Sequence, residues 1–386
     1  MSIIYMDNAA GTCLLSEVFE EMQPYFKSEF GNPTSIHSAG TIPREAVERA
    51  REQVATLIGA RPEEIYFTSC GSESNNHAVK GAAWSSEKKG HHIVVSAIEH
   101  QSVLNAAKAL AKQGRDVTFV EVDRKGFVDP QELSGALRDD TVLVSVIHAS
   151  NEIGTIEPIK EIAAGAKEKG IPFHTDAIQT AGVIPVNVDE LGVDMLSLAA
   201  NSFYGPKGAA ALYIRKGVRV FSLIHGGIQE RGRRAGTENV PALVGLGKAA
   251  ELAMKDMDKR IEITTRLRDK LIKGLKENIT KITINGDRRQ RLPGNVHVSI
   301  EAVEGESLLY SLSGKEIMAA SGSSCADKAL KSSHVLSAIG VDPALANGSI
   351  LFSLGFNNTE DEVDTVLEVL PPIVERLRSM SPLWNG

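Results

Sequence analysis

Between residues 44 and 250, short apolar runs rich in valine and isoleucine alternate with longer segments of helical periodicity. This alternation restricts the fold more than any other property of the chain. The runs are EIYFTS (Glu64–Ser69), HHIVVSAIEH (His91–His100), DVTFVEV (Asp116–Val122), TVLVSVIHAS (Thr141–Ser150) and IPFHTDA (Ile171–Ala177). REAVERAREQVATLIGA (Arg44–Ala60) is an amphipathic helix. A strand covered by helices on both faces reads as a nearly unbroken apolar run, because its side chains are buried whichever way they point. The pattern therefore predicts an α/β fold with a mostly parallel sheet covered on both faces. Ligands of such sheets bind beyond the carboxyl ends of the strands. The polar clusters TSCGSESNN, EHQS, ASNEIGT and HTDAIQT all fall at those ends.

After about residue 260 the texture changes. A charged helix (Arg260–Ile279) precedes strands near Gly294–Ile300 and Ile350–Gly355, and a last helix starts near Glu360. These predict a second, smaller α+β domain. The expected division is a large domain over residues 15–260 and a small one built from 1–14 and 261–386.

The 386 residues carry a net charge of −7, with no Lys/Arg-rich run, so no nucleic-acid partner is expected. No apolar stretch approaches the roughly 20 residues that span a bilayer, and the first residues lack the pattern of a signal peptide. A cytoplasmic location without membrane attachment is the expectation. Cys13, Cys70 and Cys325 are too few and too scattered for a disulfide framework. A thiol that stays free can serve as nucleophile or metal ligand.

Three constellations carry candidate chemistry. TSCGSESNN (Thr68–Asn76) follows a strand and opens a helix; its small residues admit a phosphate to the backbone N–H groups, and a plain capped turn is the alternative. Asp176 ends an apolar strand, where a carboxylate needs a partner. A protonated pyridine nitrogen is one such partner and a helix N-terminus is another. Cys325 sits in the Gly/Ser-rich stretch SGSSCADK ahead of a helix, which suits a functional thiol better than the small buried hydrophobe that most free cysteines are.

In order along the chain, YMDNAAGT, FGNPTSIHSAG, FTSCGSESNN, EHQSV, NEIGTIEP, HTDAIQTAG, YGPKGAAALYIR, RRAGTENV, ASGSSC and FSLG resemble the cysteine desulfurases of the NifS/IscS type, within the class V aminotransferase fold. The resemblance covers nearly the whole chain. It implies a pyridoxal-phosphate (PLP)-dependent transferase fold, with a large, mostly parallel sheet domain and a smaller α+β domain. It also implies a homodimer, and a docking partner in an IscU-like iron–sulfur scaffold protein. Position by position, it places Gly71 and Ser72 at the phosphate loop and His100 on the cofactor ring. Asn151 and Gln179 fall near the ring oxygen, and Asp176 at the pyridine nitrogen. Thr237 corresponds to the phosphate ligand given to the other subunit, and Cys325 to the thiol that carries sulfur as a persulfide.

The chain departs from that family at three places. Before YGPKG the family has Ser-x-His-Lys, its lysine holding PLP covalently; here Ala199, Ala200, Asn201 and Ser202 stand instead. Ser202 cannot form an imine, and Lys207 belongs to the GPKG motif itself. Late in the chain the family's Arg-Phe-Ser-Leu-Gly reads Leu351, Phe352, Ser353, Leu354, Gly355. The arginine that pairs with the substrate carboxylate is thus a leucine, a loss of about 1.5–3 kcal/mol per charged hydrogen bond. Cys70 replaces a glycine beside the phosphate loop, and Cys13 replaces a proline. The expectation is a NifS/IscS-like protein of iron–sulfur cluster assembly without lysine-based cysteine turnover, acting through Cys325 as sulfur carrier or cluster ligand. PLP, if bound, is expected to be held non-covalently. Two alternatives stand beside this. One is an active PLP-dependent cysteine desulfurase with atypical cofactor binding, with Cys325 and His100 as its catalytic residues. The other is an iron–sulfur cluster held in the pocket by Cys13, Cys70 and Cys325.

Overall fold

The computed structural model describes residues 3–321 and 333–384, and Cys325 lies outside them. Seven strands form the main sheet: β1 (Ile65–Thr68), β2 (His92–Ser96), β3 (Asp116–Val120), β4 (Thr141–Ser145), β5 (Phe173–Asp176), β6 (Met195–Ala199) and β7 (Ala210–Ile214), in the spatial order β1-β7-β6-β5-β4-β2-β3. Only β7 runs against its neighbours; the pairs from β6 through β3 are parallel. Every residue of β2, β4, β5, β6 and β7 is buried. This is the burial on both faces that the apolar runs require. The observed fold is the α/β class expected from the sequence.

The strands are shorter than their apolar runs. Val146 and Ile147 continue the β4 run and stay buried, yet they lie in the loop beyond the strand. Their burial comes from loop packing at the sheet's carboxyl end. Helix α1 (Ser38–Leu57) starts ahead of Arg44 because Ser38, Ala39 and Gly40 are too small to register in an apolar periodicity. Helices α2 (Gly71–Ser85), α3 (Gln101–Lys112) and α4 (Ile159–Glu168) follow β1, β2 and β4.

Helix α5 (Val240–Asn278) is a single helix of 39 residues and contains the position where the sequence texture changes. Its first half buries Leu243, Leu246, Ala249, Ala250 and Ala253 in the core under the large sheet. Its second half buries Leu267, Leu271 and Leu275 in a separate core. That second core also holds an antiparallel sheet, β8 (Ile282–Ile284), β9 (Asn295–Ile300), β10 (Ala320–Ser321) and β11 (Ser349–Ser353), in the order β10-β11-β9-β8. Ile4 and Met6, from the start of the chain, join the same core. The last helix, α6 (Glu360–Met380), opens on a capping box of Thr359 and Glu362. No helix among the described residues is long and apolar enough to cross a membrane.

Candidate functional site

The carboxyl ends of β4, β5 and β6, the start of α2 and the edge of the small sheet enclose a cavity of about 410 Å³. Gly71, Ser72, Cys70, His100, Asn151, Asp176, Gln179, Ser202 and Leu351 all line it.

Asp176 is the last residue of β5 and is 3% exposed. Its carboxylate accepts from the Asn75 side-chain amide at 2.6 Å and from the Ile178 backbone N–H at 3.0 Å. Burial raises its pKa above the carboxylate range, while the nearby His100 ring and these two donors pull it back down. Asn75 lies one helical turn beyond Gly71, so α2 presents both to the same region. A Cβ on Gly71 would sit 2.2 Å from Cδ1 of Ile178, which also lines the cavity, so a side chain there displaces the tip of that isoleucine.

His100 caps α3. Its Nδ1 accepts from the Ser102 backbone N–H at 3.2 Å. That leaves Nε2 as the N–H of the neutral ring. Next to it, Glu99 is fully buried. Its Oε1 accepts from Ser96 Oγ at 2.7 Å and from the Ile147 N–H at 2.6 Å, whereas Oε2 has no partner among the described residues. Burial pushes its carboxyl up to about 8, against the pull of those hydrogen bonds. Glu152, at the cavity wall, bonds Ser333 Oγ, and burial pushes its carboxyl up to about 7. The Gln179 amide donates to the Ala9 carbonyl at 3.0 Å, which fixes it across the cavity.

Among the described residues no lysine or arginine lines this cavity. Ser202 is 8% exposed and follows β6 in a single turn of 3-10 helix. Lys207 is exposed and lies off the lining. Leu351, 4% exposed, sits in β11 and pairs with His297 and Ala320.

Two of the residues singled out in the sequence, Thr237 and Cys13, lie elsewhere. Thr237 is exposed and lines shallow surface pockets near Phe30 and Ser69. Cys13 is exposed, its sulfur 3.8 Å from the donating Asn357 amide, and does not line the cavity. Cys325 falls outside the described residues, but both flanks of its segment touch the site. Ser321 lines the cavity, and Ser333 bonds Glu152. In addition, His334 Nε2 meets the Glu99 carbonyl at 2.9 Å. Among the described residues, no group of three or more His, Cys, Asp or Glu side chains is arranged to hold a metal ion. Sequence reasoning missed Asn75 and Glu99. Glu99 was legible as a carboxylate closing an apolar run, the same signal that marked Asp176.

The pattern of the family described as "Aminotransferase class-V" matches residues 4–366. The chain is 53% identical over 379 residues to "Cysteine desulfurase IscS" of Dictyoglomus turgidum, covering 98% of this chain and 96% of that protein. It is 52% identical over 380 residues to the protein of the same name from Methanosarcina thermophila, covering 98% and 94%. A solved structure described as "NIFS-LIKE PROTEIN" superposes with a TM-score of 0.91 at 40% identity, over 97% of this chain and 100% of that one. The apo cysteine desulfurase of Thermococcus onnurineus gives a TM-score of 0.86 at 28% identity, over 97% and 95%. With its parallel sheet, its cavity at the strand ends and these likenesses, the chain belongs to the class V aminotransferase family, as an IscS/NifS-like member of the cysteine desulfurases.

Proposed function

We propose that this chain serves iron–sulfur cluster assembly without lysine-based turnover of cysteine, and that Cys325 acts as sulfur carrier or cluster ligand beside an IscU-like scaffold. The observation that carries this reading is a cavity with no lysine or arginine among its described lining, Ser202 and Leu351 standing at the positions in question.

The non-covalent parts of a PLP site fit. The start of α2 at Gly71 and Ser72 can take a phosphate through its backbone N–H groups. Buried Asp176 can take a protonated pyridine nitrogen, and His100 can lie against the ring. When bound, PLP supplies an electron sink at its ring. This chain's own groups orient and enclose it: Asn75 and the Ile178 N–H hold the Asp176 carboxylate, and Gln179 is pinned by Ala9. What the described lining does not supply is an amine for covalent attachment or a guanidinium for a substrate carboxylate. Ser321 lines the cavity and Ser333 bonds the lining residue Glu152, and a thiol at Cys325, between them in sequence, suits delivery to this site. Thiolate is the ligand that iron–sulfur clusters take.

A second reading, an active desulfurase with atypical cofactor binding, is supported by Asp176 and His100 and by the names of relatives at 52–53% identity. A cluster inside the cavity on Cys13, Cys70 and Cys325 has weaker support, since Cys13 is off the lining.

Two measurements separate the readings. Incubation with PLP followed by borohydride and mass spectrometry is expected to leave no pyridoxyl-lysine, and L-cysteine is expected to release no sulfide above background. A covalent adduct together with brisk sulfide release establishes the second reading. Iron bound by the protein alone, and lowered separately by Cys13→Ala, Cys70→Ala and Cys325→Ala, establishes the internal cluster. Iron retention that needs both Cys325 and a scaffold protein is the result expected here.

A further inference from the structure

A second cavity of about 80 Å³ adjoins the first and shares Ala9, Asn151, Gln179 and Ser202 with it. Among the described residues, Arg260 is the only charged one in its lining. It sits in the middle of α5, between the two cores, and its side chain is 10% exposed. The nearest acidic group, Asp256, is 3.9 Å from Nη2, too far for a hydrogen bond, and is 43% exposed to water. Nε and Nη1 are buried and make no hydrogen bond among the described residues. The guanidinium carbon lies 4.5 Å from the Phe356 ring centre and 5.6 Å from that of Tyr204.

The other buried arginines are not left this way. Arg51 is bidentate to Glu230, and Arg115, Arg268, Arg291 and Arg378 donate to backbone oxygens. A buried cation without a counter-charge is costly, and two aromatic faces replace only part of what a carboxylate provides. Arg260 is also the only arginine or lysine lining either cavity among the described residues.

We propose that Arg260 anchors a binding site for the carboxylate of a small organic acid or amino acid, whose body extends past Ser202 into the larger cavity. The charge of the site favours a monoanion, because one guanidinium faces otherwise neutral lining. Each unpartnered nitrogen neighbours Nη2, so either edge of the guanidinium can offer the two-point grip that suits a planar carboxylate. Asn8, Thr12, Thr264 and Asn295 bring further polar groups to the wall. Ser202 lies at the junction, where a short side chain leaves passage that a long one would fill. The carboxylate contact at Arg260 lies in the smaller cavity, off the lining where PLP would sit.

The test is calorimetric titration of the purified protein with L-alanine, sodium acetate and sodium chloride at constant ionic strength, with melting temperatures recorded for each variant. Saturable millimolar binding of L-alanine or acetate is expected. L-alanine binding more tightly than acetate identifies an amino acid as the source of the carboxylate, and equal affinities identify a simple short-chain acid. Arg260→Gln is expected to weaken binding at least about tenfold, and Arg260→Lys to weaken it less. Should Arg260→Gln not fold, the loss in Arg260→Lys carries the test, since lysine keeps the charge and loses the fork. The proposal is overturned if the folded wild type binds neither carboxylate, or if chloride binds as tightly as acetate. It is likewise overturned if the variants lower the melting temperature with carboxylate affinity unchanged, the signature of a purely structural cation–aromatic contact.

Discussion

At the scale of single residues, the proposed absence of lysine-based turnover rests on two positions. Ser202 ends the short turn after β6, with its hydroxyl in place of any amine, and Leu351 puts an apolar side chain where the small sheet meets the cavity. Because Asp176, His100 and the α2 start are kept around the cavity, Ser202→Lys is expected to gain a borohydride-trappable pyridoxyl adduct. The variant is still expected to turn over L-cysteine poorly, since Leu351 and Asn201 remain. Mass spectrometry and a sulfide assay on the same sample check both halves; fast turnover by Ser202→Lys alone would show that Leu351 costs nothing. Gly71 is equally specific. Gly71→Val would drive a side chain against Ile178, so phosphate-dependent binding of PLP, followed by fluorescence, is expected to weaken by about tenfold or more with the melting temperature little changed.

At the scale of elements, the strand that leads to the α2 start is held by one buried ion pair. Glu230, in a left-handed conformation at φ 48°, receives Arg51 at 2.7 and 2.9 Å and the Phe67 backbone N–H of β1 at 2.8 Å. Burial works against the Arg51 charge, and the Glu230 carboxylate more than compensates, raising its pKa. Glu230→Ala strands that guanidinium and the β1 amide together. The expected loss is about 3–5 kcal/mol of unfolding free energy in urea, larger than for an exposed pair such as Arg61–Glu63. A loss below about 1 kcal/mol would mean that water reaches Arg51 in the variant.

At the scale of the whole molecule, buried ionisable groups set the pH range of stability. Glu99 and Glu157 are both pushed up by burial to about 8, so the native state holds protons that the unfolded chain releases near 4.5. Their contribution is complete below that unfolded value and is lost as pH rises towards 8. Burial pushes His148 down to about 4, and His174 and His297 to about 3, from 6.5. Their contribution is present above 6.5 and is lost as pH falls through those values. The melting temperature is therefore expected to peak near pH 6 and to fall from there to about pH 8, with Glu99→Gln flattening the alkaline side. A Glu99→Gln profile parallel to the wild type would show that Glu99 does not titrate there. The surface holds Phe26 at 60%, Phe30 at 76% and Ile228 at 87% exposure, and Thr237 near Phe30. A homodimer covering these residues is expected by light scattering at micromolar concentration, and a monomer would count against a shared site at Thr237.

The apolar runs were enough to set the sheet, because two-sided burial leaves a periodicity that needs no tertiary knowledge. The polar clusters at the run ends located the cavity for the same reason: strand ends in a parallel sheet point one way. Asp176 was legible as a carboxylate out of keeping with its apolar strand, whereas His100, Gly71 and Gln179 were singled out by the family resemblance. Asn75 was not, since an asparagine in a helix is ordinary until the fold brings Asp176 within 2.6 Å of it. The continuous α5 was also hidden. Its buried faces serve two different cores, so the pattern changes midway although the backbone does not. Arg260 sits at that change and reads in sequence as one more charge on a charged helix. Only the packing of Tyr204, Phe356 and the two cores around it removes its water and leaves two nitrogens without a partner. Local pattern records which side chains avoid water; which polar groups are left without a partner depends on contacts between residues far apart in the chain, and those only the tertiary structure decides.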